Sequence, residues 1–127
     1  MKIAELLKEK KNYCSLGPVS ESEIVDAENK LGVKFSKEYT EIIKEFGVFS
    51  CSGHELTGIC NSKRLNVVDV TLAEREINPY ASDLYVIETA NIDSIVIWQS
   101  CDGGIYCTKD DSKPTKICES LIEYLEK

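Results

Sequence analysis

Apolar residues in the first third of the chain recur every three or four positions, which is the spacing of one face of an α-helix. The pattern predicts three helices, whose buried stripes are Ile3, Leu6 and Leu7, then Ile24, Ala27 and Leu31, then Tyr39, Ile42, Ile43 and Phe46. Ser20 and Glu23 have the spacing of a capping box, and Ser36 is placed to cap the third helix. Gly32 and Gly47 follow the second and third stripes directly, where glycine commonly ends a helix.

The pattern changes from helical to extended in the second half of the chain. Residues 84–88 and 95–98 are runs of β-branched and aromatic residues with a polar connection between them, which predicts an antiparallel hairpin. The turn-forming residues 102–104 precede another such run at 105–108, so a third strand is expected to complete a meander. The apolar spacing of Leu121, Ile122 and Leu125 predicts a C-terminal helix.

Two segments between these regions have weaker patterns. Residues 55–59 alternate loosely, and we interpret them as a strand. In residues 65–76 the valines favour extended chain whereas the later residues favour helix, so we expect a strand or loop that runs into a short helix before Pro79.

Together these elements predict an α+β fold. An antiparallel or mixed β-sheet would be covered by the N-terminal helices and the C-terminal helix. The chain of 127 residues has the size of one domain, and no repeat or linker divides it, so we expect a single domain over residues 1–127.

Composition and charge narrow the function classes. Hydrophobic residues make up 43% of the chain, yet no apolar run is longer than that of Ile95-Val96-Ile97-Trp98, so no membrane association is expected. The N-terminus has no signal-peptide pattern, which predicts a cytoplasmic protein whose six cysteines stay reduced. The net charge of −7 disfavours direct binding to nucleic acid and suits a basic protein partner.

Candidate partner-binding residues are acidic or aromatic side chains near predicted strand ends. Carboxylates that share one edge of the sheet would form an acidic rim able to occupy the basic groove of a nuclease, and neighbouring exposed aromatic residues would form an interaction hot spot. The ordinary alternatives are a solvated face for the carboxylates and core packing for the aromatic residues. The candidates are Glu88, Trp98, Asp102, Tyr106, Asp110 and Asp111.

The sequence supplies no catalytic constellation and predicts no cofactor. The competing hypothesis is a small enzyme or metalloprotein built around Cys51, His54 and Cys60, since thiolate and imidazole can act as a catalytic dyad or ligate zinc. A fourth zinc ligand would then come from Cys14, Cys101 or Cys107, but the spacing matches no zinc finger. We therefore favour a loop histidine among structural thiols, with no metal.

Nearly the whole chain resembles the SUKH superfamily, to which the Smi/Knr cell-wall regulators belong. The matching residues of the first two family helices are Ser20, Ile24, Glu28, Leu31 and Gly32, then Phe35, Tyr39, Ile43, Phe46 and Gly47. Later matches are Gly58, Val70-Thr71 with Arg75, and residues 84–87, 93–97, 102–106 and 121–125. Phe35-Ser36 stands where the family often has Leu-Pro, and Trp98 and the cysteines match no family pattern.

The resemblance implies a protein-binding domain. Its bacterial form is an immunity protein that binds and neutralises a cognate toxin, commonly a nuclease or deaminase, and its other form is a regulatory adaptor. The resemblance does not identify the partner, and oligomeric state is left open.

Overall fold

The computed structural model describes residues 14–15, 17–51, 54–89, 94–110 and 112–126. The predicted N-terminal helix around Ile3, Leu6 and Leu7 lies outside these residues. In the rest of the chain the α+β prediction is confirmed, with helices packed on antiparallel sheets.

Two helices follow the first short strand, β1 (Cys14–Ser15). Helix α1 (Glu21–Leu31) begins at the predicted capping box of Ser20 and Glu23 and ends at Gly32, whose φ of 69° is left-handed. Helix α2 (Lys37–Phe46) is capped by the Ser36 side chain, which accepts a hydrogen bond from the Tyr39 amide. Both apolar stripes are buried as predicted.

A small sheet and a third helix follow. Strands β2 (Phe49–Cys51) and β3 (His54–Glu55) pair with each other, and β2 also pairs with β1, so that all three form an antiparallel sheet. The predicted strand at 55–59 is wrong beyond Glu55, because only Gly58 continues in a bridge, to Asn66. Gly58 packs so closely on the backbone that a Cβ there would overlap the carbonyl oxygen of Gly47.

Helix α3 (Val67–Ile77) corrects the prediction for residues 65–76. The valines at 67, 68 and 70 lie in the helix rather than in extended chain. The Asn66 side chain accepts hydrogen bonds from the amides of Val68 and Asp69 and so caps the helix, and Val67 is fully buried. Capping and burial here outweigh the modest helix penalty of β-branched residues.

The larger sheet is antiparallel with the order β4-β5-β6-β7. It consists of β4 (Tyr85–Thr89), β5 (Ile95–Gln99), β6 (Ile105–Lys109) and β7 (Thr115–Cys118). A 3-10 turn (Pro79–Ala81) precedes β4, and α4 (Leu121–Leu125) follows β7. The predicted three-stranded meander is therefore corrected to four strands, since β7 pairs with β6.

The four-stranded sheet separates two apolar clusters. On one face, residues such as Tyr85, Ile97 and Ile105 pack with the stripes of α1, α2 and α4 in the main core. On the other face, Val86, Val96 and Trp98 pack with Ala81 and Val70, from the 3-10 turn and α3. Side chains alternate between the faces of a strand, so both faces of this sheet are at least partly covered.

Candidate protein-interaction surface

The sheet separates the acidic residues that were expected to share one rim. Asp102 lies in the turn before β6, whereas Asp110 follows the end of β6. A strand of five residues spans about 17 Å at ~3.4 Å per residue, so these two carboxylates lie at opposite ends of the sheet. Asp111 lies outside the described residues. Asp102 and Asp110 therefore occupy two separate acidic positions rather than one rim.

Glu88 is enclosed by three residues from two other elements of the fold, β3 and α4. Its carboxylate accepts hydrogen bonds from the Glu55 amide at 2.9 Å and from the Tyr124 hydroxyl, and it bonds the Nδ1 atom of His54 at 3.0 Å. The His54 and Tyr124 rings also pack together with centroids 5.0 Å apart. Burial and the adjacent Glu88 carboxylate raise the pKa of the Tyr124 hydroxyl, which keeps it a donor. Glu88 thus ties β3 and α4 to β4, and its side chain is not on the open surface.

Trp98 is fully buried in the smaller apolar cluster. Its indole Nε1 donates a hydrogen bond to the Thr108 hydroxyl at 2.8 Å, so the one polar atom of the ring is satisfied inside the protein. Trp98 was a candidate hot-spot residue with core packing as the alternative, and the structure corrects the first in favour of the second, because α3 and the 3-10 turn cover this face of the sheet.

Asp102 and Tyr106 meet around Gly104. The Asp102 carboxylate accepts hydrogen bonds from the Ser100 hydroxyl and, at 3.1 Å, from the Gly104 amide. These bonds lower the pKa of Asp102, which keeps the carboxylate charged. A Cβ at Gly104 would lie 3.1 Å from the Lys116 chain and 3.3 Å from the Tyr106 ring, so these two side chains border the glycine. Exposed Asp102 and half-buried Tyr106 are therefore neighbours on the surface.

Asp110 lies at the far end of the sheet, exposed and in a left-handed conformation with φ of 55°. It lines a groove of about 210 Å³ with Glu74, Ile77, Thr89, Ser94, Ile95 and Val96. Ile77 leaves 55% of its surface exposed at this groove. Glu74 and Ile77 are not among the candidate residues from the sequence, since only the position of the end of α3 shows that both line this groove.

A second acidic groove was not expected from the sequence. It has a volume of about 550 Å³ and lies between the loop at Gly17, the helix α1, the loop at Cys60 and the first turn of α3. Its charged lining is Glu23, Asp26 and Asp69 with one cation, Lys30, which pairs with Asp26 at 3.1 Å. The four segments are distant in sequence, so no local pattern could indicate the groove.

The hypothesis of a catalytic or metal centre at Cys51, His54 and Cys60 receives no support from the residues that the structure describes. No group of three His, Cys, Asp or Glu side chains among those residues is arranged to hold a metal ion. His54 is bonded to Glu88, and the Cys60 thiol lies 3.5 Å from the Ser62 carbonyl oxygen. Burial raises the pKa of the Cys107 thiol, which disfavours the reactive thiolate at that position.

None of the helices in the described ranges is both long and apolar enough to cross a bilayer.

Comparison with known proteins gives a match to one family over the full chain. The family model, SUKH_5, described as SMI1-KNR4 cell-wall, matches residues 1–127. No curated protein sequence matches the chain.

Proposed function

The chain belongs to the SUKH_5 family of SMI1-KNR4 cell-wall type, and from this membership we propose that it is a non-catalytic protein-binding domain. In its most specific form, the proposal is an immunity protein that binds and neutralises a cognate toxin of the nuclease or deaminase type in the cytoplasm. The observation that carries it is the family match over all 127 residues.

The charge distribution supports a basic partner. The chain carries a net charge of −7, and exposed carboxylates stand at both ends of the larger sheet. A toxin that acts on nucleic acid needs a basic surface for phosphates, and an acidic protein can block that surface and associate quickly through electrostatic steering. Asp102, Tyr106 and Asp110 remain our proposed contact residues.

The environment of His54, the histidine of the competing enzyme hypothesis, supports a non-catalytic function. The side chains of His54 and Glu88 are only 21% and 9% exposed, and they bond each other between packed elements. A general base must reach a substrate proton within hydrogen-bond distance, and this carboxylate is already occupied by three protein groups. We propose that the cluster holds the fold together.

A regulatory adaptor is the second candidate, favoured by the cell-wall description of the family itself. It would use the same kind of binding surface, and its partner would be a cellular enzyme or regulator rather than a toxin. The two candidates therefore differ in what the partner does to the cell.

Co-expression tests the two candidates. The tagged chain would first be used to capture its partner, which is then identified and expressed alone and together with the chain. An immunity protein predicts that the partner alone stops growth and that the chain restores it. A partner that is harmless alone, but whose cellular activity changes with the chain, would instead indicate an adaptor. An enzymatic activity of the purified chain that is lost in the His54→Ala variant would contradict both the immunity protein and the adaptor.

A further inference from the structure

The groove at the end of α3 is lined by apolar side chains and by carboxylates from two walls, α3 and the turn after β6. Ile77 and Ile95 supply apolar surface, and Glu74 and Asp110 line the groove from α3 and from the turn after β6. Neither carboxylate forms an ion pair with any of the residues that the structure describes. Among the described residues, the groove thus offers negative charge without an ion-pair partner beside hydrophobic surface.

The buried side chain of Asn78 holds the two walls together. Asn78 is 1% exposed and follows directly after α3. Its amide nitrogen donates to the Ser112 carbonyl oxygen at 2.6 Å and to that of Asp110 at 3.4 Å. Its amide oxygen accepts from the Tyr80 amide at 3.0 Å. The backbone of Asp110 is therefore held near the end of α3 before a partner binds, which lowers the backbone part of the entropy cost of binding.

The electrostatics of the groove favour a cation. The C-terminal end of a helix carries a partial negative charge, and the eleven-residue α3 ends here at Ile77. Burial raises the pKa of the Glu74 carboxyl, because this side chain is partly removed from water without a compensating charge. A cation placed in the groove would supply that compensation.

We propose that this groove receives an arginine side chain of a protein partner. The aliphatic part of the arginine packs on Ile77 and Ile95, and its guanidinium bonds the carboxylates of Glu74 and Asp110. Arginine fits better than lysine because its planar guanidinium presents five donors and can engage two carboxylates at once. The volume of about 210 Å³ suits one side chain, since pockets for small molecules usually hold about 300–1,000 Å³. The inference rests on the proposed function in one respect, that the natural partner is a protein.

The direct test uses a peptide rather than the unidentified partner. The ¹⁵N-labelled full chain is titrated to about 10 mM with acetyl-Gly-Gly-Arg-Gly-Gly-amide and, separately, with the same peptide carrying neutral citrulline. The expected result is a set of amide shifts confined to the lining residues of the groove, seen with the arginine peptide only. Shifts spread over other acidic positions, equal shifts with citrulline, or no shifts would overturn the proposal.

Variants with matched controls separate binding from folding. Glu74→Gln and Asp110→Asn should each weaken the arginine peptide about tenfold, the loss expected for a charge-assisted hydrogen bond. Glu76→Gln is the control on the same helix, because Glu76 is exposed and does not line the groove. Ile77→Ala should weaken binding several-fold, whereas Leu72→Ala, another exposed apolar position on α3 that does not line the groove, should not. Equal effects of test and control variants would contradict the assignment.

The same variants distinguish this proposal from the proposed function. If the natural partner binds Glu74→Gln as tightly as the parent chain, the groove assignment is wrong while partner binding stands. If arginine-peptide binding behaves as expected but no protein partner affects cell growth or regulation, the proposed function is wrong while the groove stands.

Discussion

Glu88 lies in strand β4 of the larger sheet and Asp110 directly follows strand β6, and the two acidic side chains have opposite environments. The Glu88 carboxylate is enclosed and accepts hydrogen bonds from residues of β3 and α4. The backbone of Asp110 donates its amide to Ser94 and accepts at its carbonyl oxygen from Asn78, whereas its side chain is exposed and bonds none of the residues that the structure describes. One carboxylate belongs to the interior and the other is available to a partner.

The difference shows why chain position alone does not identify a binding residue. Glu88 lies on the face of β4 to which β3 and α4 bring donors, and a buried carboxylate is tolerated only where such donors satisfy it. Asp110 lies beyond the end of its strand, where no donor reaches its side chain in the described part of the chain. The elements that pack on a residue therefore decide whether its charge stabilises the fold or remains free for binding.

The largest expected effect is a loss of stability when a residue of the interior, like the enclosed Glu88, is replaced. Trp98→Ala should lower the free energy of unfolding by about 3–5 kcal/mol, because it opens a cavity in the smaller apolar cluster and leaves Thr108 without its partner. Urea denaturation followed by circular dichroism measures the loss. Tyr106→Ala, at a half-buried position on the adjacent strand, should cost clearly less. Equal losses would show that Trp98 is not a core residue.

The next largest loss of stability is expected when the enclosed Glu88 carboxylate is removed. Glu88→Ala should cost about 2–3 kcal/mol, since it leaves buried donors from Glu55 and Tyr124 without an acceptor. Chemical denaturation against the parent chain gives the value, and Asp110→Asn, which keeps a residue that tolerates the left-handed conformation, is the control on the open side. A loss below about 0.5 kcal/mol for Glu88→Ala, typical of a surface position, would contradict the enclosed network.

Alkaline pH should weaken the same interior. Burial raises the pKa of Tyr39, Tyr85 and Tyr124, so their neutral forms are favoured in the folded state. Their contribution is fully present below the unfolded pKa of about 10 and is lost as pH rises above it. Unfolding curves between pH 8 and about 11 should show this decline. Tyr124→Phe should cost about 1 kcal/mol at neutral pH and reduce the alkaline decline, and an unchanged decline would argue against burial of this hydroxyl.

Substitutions of the exposed carboxylates should change the rate of association with a partner rather than the stability of the fold. Asp102→Lys and Asp110→Lys should each lower the association rate with a basic partner several-fold, and the rate for the parent should fall as salt rises from about 50 to 500 mM. Surface-immobilised partner kinetics measures both rates, and dissociation should change much less. Association that is indifferent to salt and to both reversals would remove the electrostatic part of the proposal.

The smallest expected effect is on stability at the exposed acid itself. Asp110→Asn should change the free energy of unfolding by less than about 0.5 kcal/mol, because asparagine also adopts the left-handed conformation of this residue. Thermal denaturation of Asp110→Asn and Glu88→Ala side by side compares the stability contributed by the exposed and by the enclosed carboxylate. A large loss would mean that the Asp110 charge has a structural role.

Much of the fold could be predicted from local signals. The capping box at Ser20 and the glycine after α1 act through neighbouring backbone groups, and the hairpin strands through their own composition. Helix α3 was obscured because its valines prefer extended chain, and its cap, Asn66, is a single residue with no distinctive pattern. Strand β7 was missed because three of its four side chains are exposed and it is held by pairing with β6.

Ser36, which stands where the family often has proline, does more than cap α2. Serine was expected to cap α2 as a substitute for the family's proline, and it does accept the Tyr39 amide. Its hydroxyl also donates to the buried Gln99 side chain at 3.0 Å, and its amide donates to the Tyr85 hydroxyl at 2.8 Å. Proline could form neither of these bonds, so the network connects the start of α2 to the larger sheet in a way that the cap pattern alone does not reveal.

The sequence by itself determined the features that depend on short-range interactions: the ends of α1 and α2, their buried stripes, the antiparallel hairpins and the acidic charge. Only the tertiary structure decided which acids are available, because that depends on donors and covering elements brought together from distant positions. His54 and Tyr124 meet at Glu88 across 34 and 36 residues of chain. Asn78 reaches Ser112 across 34 residues to set one wall of the groove at Asp110. Hydrogen bonding and burial act through space, and a pattern read along the chain records neither.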